Sequence, residues 1–266
     1  MPSVIGIDTG GTFTDVTILD RETGTIQVAK VPSTPDDPSR GFAEGVRVGI
    51  GGQTDGVDRV LHGTTVATNL ILQSKGPRIA MLVTEGFRSV LEIGRQDIPR
   101  GNSLFAWVKP KRPVPPQYIW GIPGRVDPDG TEVAPLDEAA VRAAARAIRA
   151  EDIAAVAVVF LHSYANAQHE RRAAAILANE HADALVSLSS DVLPVFREYE
   201  RAMTTVLNVY VMPAVASYVG RLEQRLAEQS IAAPLLLMKS SGGVTSARSV
   251  RRTPVETALS GPAAGV

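Results

Sequence analysis

Residues 4 to 16, VIGIDTGGTFTDV, constrain the chain more tightly than any other stretch. A short apolar run ends in the carboxylate of Asp8, then Gly10, Gly11 and Thr12 follow, and alternation resumes at once. Phe13, Val16 and Ile18 interleave with Thr14, Thr17 and Asp20, which reads as a strand and puts the glycines in a strand-to-strand turn. A P-loop needs a lysine after its last glycine and a dinucleotide fingerprint needs a helix there, so both are excluded. A glycine hairpin can still hold phosphate, because residues without Cβ let backbone N–H groups approach an anion closely. Thr12 and Thr14 would add hydroxyl donors, and Asp8 at the strand's end could hold a hydrated Mg²⁺. The same residues also satisfy a plain β-hairpin with a Gly-Gly turn and threonines suited to strands.

The remainder alternates strands and helices. Ile26, Val28 and Lys30 predict a third strand, and a helix is expected over 39–50, ended by Gly51-Gly52. A short strand from Val57 to Leu61 leads into His62-Gly63-Thr64-Thr65, followed by a helix over 66–73 and a buried strand over 79–83. Between Gly86 and Glu132 seven prolines forbid long helix, so this stretch is expected to be an irregular, site-forming excursion or a surface insertion. Helices over 137–150 and 166–179 alternate with strands over 154–161 and 184–188, which argues for a mixed or parallel sheet. The chain changes character near Ser189-Ser190-Asp191, so two domains are expected, 1–188 and 189–266. A long helix over 197–228 should be broken or kinked at Pro213. One more strand, 235–238, turns through Ser240-Ser241-Gly242-Gly243.

With 266 residues, 44% hydrophobic and 21% charged, the chain has the composition of an ordinary globular protein with a substantial core. A net charge of −1 offers no basic field for nucleic acid or anionic membrane. The absence of cysteine excludes disulfides and thiolate chemistry and fits a reducing compartment. No signal-like N-terminus and no continuous apolar run of about 18 residues is visible, so the expectation is a cytoplasmic protein without a membrane span.

The run from Asp8 to Asp15, DTGGTFTD, resembles the first phosphate motif of the actin/hexokinase/Hsp70-like ATPases. Within them it is most similar to the hydantoinase/oxoprolinase family, the ATP-dependent subunits of N-methylhydantoinase, 5-oxoprolinase and acetone or acetophenone carboxylase. The tract His62-Gly63-Thr64-Thr65-Val66-Ala67-Thr68-Asn69 resembles a stretch that family carries near its active site. A glycine beside two threonines at a helix start suits an anion or carbonyl, and His62 could act there as acid or base; an N-capped helix with a satisfied histidine is the plainer reading. Arg197-Glu198-Tyr199-Glu200-Arg201 resembles the family's second helical segment, although surface ion pairs of Glu198 with Arg201 and Glu200 with Arg197 would explain it fully. Gly242 and Gly243, and the run Ser260-Gly261-Pro262-Ala263-Ala264-Gly265, are similar to later glycine motifs, the last to the segment that crosses between lobes.

The resemblance implies an α/β, actin-like (ribonuclease H-like) lobe with a mixed sheet, plus the start of a second segment. It implies use of ATP and Mg²⁺ to phosphorylate a carbonyl or lactam oxygen of a cyclic amide or ketone, with a second, hydantoinase B-type subunit as partner. In that reading Asp8, His62, Thr64 and Thr65 are catalytic, Asp8 orients the metal, and Gly10, Gly11, Thr12, Thr14, Asp15, Gly242, Gly243 and Gly261 bind nucleotide. The family's second Asp/Gly phosphate motif and its adenosine motif are missing from this sequence. The chain is therefore expected to be a truncated, inactive piece that exposes an apolar face around Leu235–Met238 and Gly261–Val266 and self-associates or needs its partner subunit for solubility. A sugar- or acetate-kinase-like phosphotransferase and a non-catalytic assembly fragment are the competing readings.

Overall fold

The alternating residues of the opening stretch pair as a hairpin. Strands β1 (Ser3–Thr9) and β2 (Phe13–Asp20) run antiparallel, with Asp8 opposite Asp15 and Thr9 opposite Thr14. The Gly10 N–H donates to the Phe13 carbonyl at 3.0 Å, which leaves Gly11 and Thr12 at the tip. The computed structural model of the chain describes residues 3–51, 56–95, 106–108 and 112–260. Strand β3 (Ile26–Pro32) completes the meander. Helix α1 (Pro38–Ile50) starts behind Asp37, whose carboxylate accepts from the Ser39 N–H, and stops at Gly51 in the left-handed region. Strand β4 (Val57–Thr64) lies parallel to β1 and places His62 beside Ile7 and Gly63 beside Asp8. It runs three residues past the expected end at Leu61, because His62 and Thr64 bury their side chains on the inner face and so keep the strand's alternation.

Helix α1 rests unusually close to the sheet. Gly41, Gly45 and Gly49 recur every four residues and form one line along the helix. A Cβ on Gly45 would stand 2.8 Å from Val16 Cγ2, and one on Gly49 3.1 Å from Ile18 Cδ1. The bare stripe thus seats the helix on β2, the strand that carries the hairpin.

After α2 (Val66–Gln73), the chain enters strand β5 (Ile79–Thr84), buried along its whole length. The proline-rich stretch then holds α3 (Val90–Ile93), β6 (Ile119–Ile122), β7 (Arg125–Val126) and β8 (Glu132–Ala134) among its described residues. Its described part is less irregular than expected, because Pro115, Pro116, Pro123 and Pro128 fall outside these short strands. Helix α4 (Glu138–Ala150), strand β9 (Ala155–Val159), helix α5 (Gln168–Glu180), strand β10 (Leu185–Leu188) and the short α6 (Ser189–Val192) follow. The strands form a parallel sheet in the order β10-β9-β5-β6, over a core that includes Leu82, Ile122, Ile148, Val156 and Leu177.

Helix α7 (Glu198–Glu228) is continuous through Pro213, so of the expected break or kink the break does not occur. A proline removes one donor and crowds the preceding turn, but fully buried Val209, Val211, Val215 and Val219 hold the helix on both sides of it. An 18-residue window of α7 reaches a mean hydropathy of 1.3, long and apolar enough by composition to cross a membrane, although charged and polar residues interrupt it. Of that window 61% is buried within the protein, the pattern of a core helix. Strand β11 (Leu235–Met238) then pairs parallel with β4, and β12 (Val244–Ser246) pairs with β11 before α8 (Ala247–Val250). The six-stranded sheet has the order β12-β11-β4-β1-β2-β3. Strand β11 is an interior strand with Leu235 and Leu237 buried and Leu236 and Met238 partly so; the Gly261–Val266 part of the expected apolar face lies outside the described residues.

Two compact units result, Met1–Lys75 with Val211–Val266, and Gly76–Tyr210 inserted between them. The division expected at 188/189 falls inside the inserted unit, where packing is continuous. Buried Glu170 accepts from the Phe160 N–H at 2.9 Å, the Ser189 hydroxyl at 2.5 Å and the Ser190 N–H at 2.8 Å. Arg201 is likewise no surface ion-pair partner; it is 1% exposed and donates to the Phe160 and Val195 carbonyls, both at 2.9 Å. Glu200 pairs with Arg95 instead.

Candidate functional site

At the carboxyl ends of β1 and β4 the first unit opens a cleft of about 250 Å³ that gathers Gly10, Gly11, Thr64 and Thr65. The hairpin supplies the first two. A Cβ on Gly10 would stand 3.0 Å from the Phe13 carbonyl oxygen, whereas Gly11 faces open space. A two-residue tip points its N–H groups away from the ladder, where an anion can take them. Thr64 ends β4; its hydroxyl accepts from the Val66 N–H at 3.3 Å and its carbonyl accepts from the Ser260 hydroxyl at 3.0 Å. The Thr65 hydroxyl accepts from the Asn69 amide at 3.2 Å. Thr9 also lines the cleft, and its Oγ1 is buried without a hydrogen-bond partner, although the Tyr218 hydroxyl is close enough to interact with it. A buried hydroxyl left unpaired costs free energy, and a ligand oxygen would satisfy it.

His62 sits behind this cleft, fully buried. Its Nδ1 lies 3.1 Å from the Ile7 carbonyl and its Nε2 2.8 Å from the Tyr218 hydroxyl. A carbonyl only accepts, so the proton belongs on Nδ1 and Tyr218 donates to Nε2. Burial lowers the His62 pKa to about 4, partly opposed by the Ile7 hydrogen bond, and raises that of Tyr218. A neutral, enclosed imidazole does not exchange protons with a substrate. In this geometry it orients Tyr218, whose hydroxyl also lies beside those of Thr64 and Thr9.

The other sequence-derived residues divide between the two faces of the sheet. Thr14 is fully buried, with its hydroxyl 3.0 Å from that of Ser33, so it braces the hairpin against the loop before α1. Thr12 is exposed at the tip, and its carbonyl accepts from the Ser33 N–H at 2.9 Å. Asp8 and Asp15 are register neighbours on the opposite face, away from the cleft residues Thr9 and Thr64. Asp15 pairs with Lys30 at 2.9 Å. The Asp8 pKa is raised by partial burial and by Asp15 beside it. Its Oδ1 occupies the space that a Cβ on Gly63 would need, 2.9 Å away. Two adjacent carboxylates, one of them disfavoured as an anion, are a donor set that Mg²⁺ fits, since that ion takes one or two carboxylates and completes its shell with water and phosphate. Among the described residues no group of three or more His, Cys, Asp or Glu side chains could hold a metal by itself.

Gly242 and Gly243 form the β11–β12 turn, closed by Gly242 N–H to Lys239 at 3.0 Å, and neither lines the cleft. Gly261 lies outside the described residues. Sequence reasoning missed Thr9, Ser33 and Tyr218. Thr9 carried a signal, since the register that aims Asp8 to one face must aim its neighbour to the other; Tyr218 carried none.

This sheet, with its opening glycine hairpin, defines an α/β protein of the actin-like ATPase fold. Residues 4–181 match the hydantoinase/oxoprolinase N-terminal region and residues 201–266 match the hydantoinase/oxoprolinase domain. The chain belongs to the hydantoinase/oxoprolinase family. It is 34% identical to caprolactamase subunit alpha of Pseudomonas jessenii over 97% of this chain and 38% of that protein. The acetophenone carboxylase gamma subunit of Aromatoleum aromaticum is 33% identical over 98% of this chain and 38% of its own length. The crystal structure of the ATP-dependent caprolactamase superposes with a TM-score of 0.87. Nucleotide-free acetone carboxylase, at 27% identity, superposes with a TM-score of 0.84 over 95% of this chain and 38% of that one. The chain thus spans under two-fifths of these relatives.

Proposed function

We propose that this chain supplies the phosphate-binding hairpin of an enzyme that uses ATP to activate a carbonyl or lactam oxygen, driving ring hydrolysis of a cyclic amide or carboxylation of a ketone. The observation that carries the reading is the cleft where Gly10 and Gly11 of the hairpin, Thr64, Thr65 and the Thr9 hydroxyl converge. Caprolactamase and acetone carboxylase, both described as ATP-dependent, support it. The N–H groups of the tip hold terminal phosphate oxygens, the threonine hydroxyls add donors, and Tyr218 shapes the wall with His62 fixing its orientation. Asp8, with Asp15 beside it, would hold Mg²⁺ on the other face of the hairpin from the cleft residues. Phosphorylation converts the substrate oxygen into a leaving group, so attack at its carbon becomes feasible. The whole enzyme works in the cytoplasm with a second, hydantoinase B-type subunit in this reading; related chains are themselves named as subunits.

Titration calorimetry of MgATP into this chain tests the nucleotide part. Thr9→Val keeps the shape and removes only the hydroxyl, and it is expected to weaken binding about tenfold, the worth of one hydrogen bond to a charged group. Unchanged affinity in that variant, or no binding by the parent chain, would refute the assignment.

A further inference from the structure

The six-stranded sheet of the first unit ends on one side in β12 and on the other in β3. An edge strand presents a row of unpaired backbone groups, and the two edges differ in how far they are blunted. Strand β12 is three residues long and runs directly into α8. Strand β3 is seven residues long and, among the described residues, pairs only with β2. Which of its groups are free follows from the alternation of an antiparallel ladder. The Asp20 N–H donates to the Thr25 carbonyl at 3.0 Å and the Ser33 N–H to the Thr12 carbonyl at 2.9 Å, continuing the β2–β3 register at its two ends. Thr25, Gln27, Ala29, Val31 and Ser33 therefore face β2. Ile26, Val28 and Lys30 turn their N–H and C=O groups outward.

The same stretch exposes apolar side chains. Ile26 is 64% and Val28 79% exposed, and they share one sheet face with the exposed Leu19 and Phe13. Lysine and proline commonly blunt an edge, but here both stand at the far end of the strand, as Lys30 and Pro32. The Lys30 amine is already paired with Asp15 at 2.9 Å, which frees its alkyl stem to act as apolar surface.

We propose that β3 is a pairing edge for a second copy of this chain, β3 against β3 across a two-fold axis at Val28. In that register the strand is complementary to itself. Val28 lies opposite the partner's Val28 and Ile26 opposite the partner's Lys30, whose stem covers it. Each opposed pair exchanges two backbone bonds, about six in all. The two ammonium groups then stand about 13 Å apart along the strands, past the ~8–10 Å over which charges in salt still feel each other. Sliding one pair toward Pro32 halves that separation and brings a residue without an N–H into the ladder. Sliding the other way replaces strand by the turn at Gly24, whose N–H is already given to the Asp20 carbonyl. Because the paired strands run antiparallel, the Pro32 ends and the hairpin tips beside them point away from each other, and both clefts stay open. One short strand on each side makes a contact at the small end of specific interfaces, so the dimer forms in proportion to concentration. None of this rests on the function proposed above.

The chain has no cysteine, so an introduced one is its sole thiol. Opposed residues of a hydrogen-bonded antiparallel pair have Cα atoms ~5.5 Å apart, within reach of a disulfide. Val28→Cys is expected to cross-link with itself on mild oxidation. Ile26→Cys and Lys30→Cys should cross-link when mixed, and about tenfold more slowly when each is alone, since their own Cα atoms then lie beyond disulfide reach. Sedimentation of the parent chain at concentrations up to about 1 mM should show monomer passing into dimer. Val28→Pro removes only an outward N–H, a loss an edge strand tolerates, and should weaken the dimer about tenfold with the circular dichroism spectrum unchanged. Val28→Lys sets two ammonium groups face to face and should do the same. A parent chain that stays monomeric throughout, a dimer untouched by both variants, or Ile26→Cys cross-linking with itself as fast as Val28→Cys would each overturn the proposal.

Discussion

Removing a histidine from solvent has consequences that a pH titration can read. The ordinary pKa of His62 is 6.5 and burial lowers it to about 4, so between these values the unfolded chain binds a proton that the folded chain refuses. His62 therefore contributes no penalty above pH 6.5, and stability falls as pH drops from 6.5 toward 4, by at most about 3 kcal/mol. Urea titrations across that window should show the loss, and His62→Gln should flatten this part of the profile while lowering stability at neutral pH. A profile identical to the parent's would mean that His62 titrates normally. Asp8 offers the second residue-scale expectation. Gly63→Ala would drive a methyl group into its Oδ1 and turn the carboxylate aside. Calorimetry at limiting Mg²⁺ should then show weaker MgATP binding, with affinity recovering as Mg²⁺ rises; an unaltered Mg²⁺ dependence would remove Asp8 from the metal's neighbourhood. Sequence reading could place His62 beside a glycine-threonine turn, but its partner Tyr218 is 156 residues away. No local pattern announces such a bond, so an acid or base and an enclosed prop looked alike.

Elements follow a different logic, in which neighbours decide what propensity leaves open. Alanine normally improves a helix interior over glycine by about 1 kcal/mol. In α1 that gain is outweighed, because a Gly45 methyl would press on Val16 Cγ2, a stiff, buried side chain, and overpacking costs ~1–3 kcal/mol. In α7 a Cβ on Gly220 would meet only an Arg251 guanidinium nitrogen at 3.8 Å. Gly45→Ala should therefore lower the melting temperature and Gly220→Ala should raise it; two shifts of the same sign would refute the seating of α1 on β2. The hairpin was legible because alternation of period two is a local signal, and β1 to β3 obey it. Strand β6 was not, since four residues between prolines carry too little pattern to stand out. At Pro213 the expectation was a break or a kink, and buried valines on either side keep the helix unbroken.

For the molecule as a whole, the sequence displays one order of elements while packing obeys another. The first unit closes only when β11, from the far end of the chain, joins β4. Both tryptophans, Trp107 and Trp120, belong to the inserted unit. Tryptophan fluorescence thus reports that unit alone, whereas far-UV circular dichroism reports both. Two cores of separate composition should unfold at different urea concentrations, so the two probes are expected to give non-coincident transitions. Superimposable curves would show that α7, which contributes buried residues to each, couples them into one cooperative body.

The inserted unit begins at Gly76 and ends at Tyr210, and these two residues are fastened together: the Gly76 N–H donates to the Tyr210 hydroxyl at 2.6 Å, and the ring covers the glycine so closely that no side chain fits there. A segment whose way in and way out share one clasp can be exchanged as a cassette, leaving the strands that flank it undisturbed. Relatives could therefore exchange what hangs from that clasp while the strands on either side of it kept their pairing.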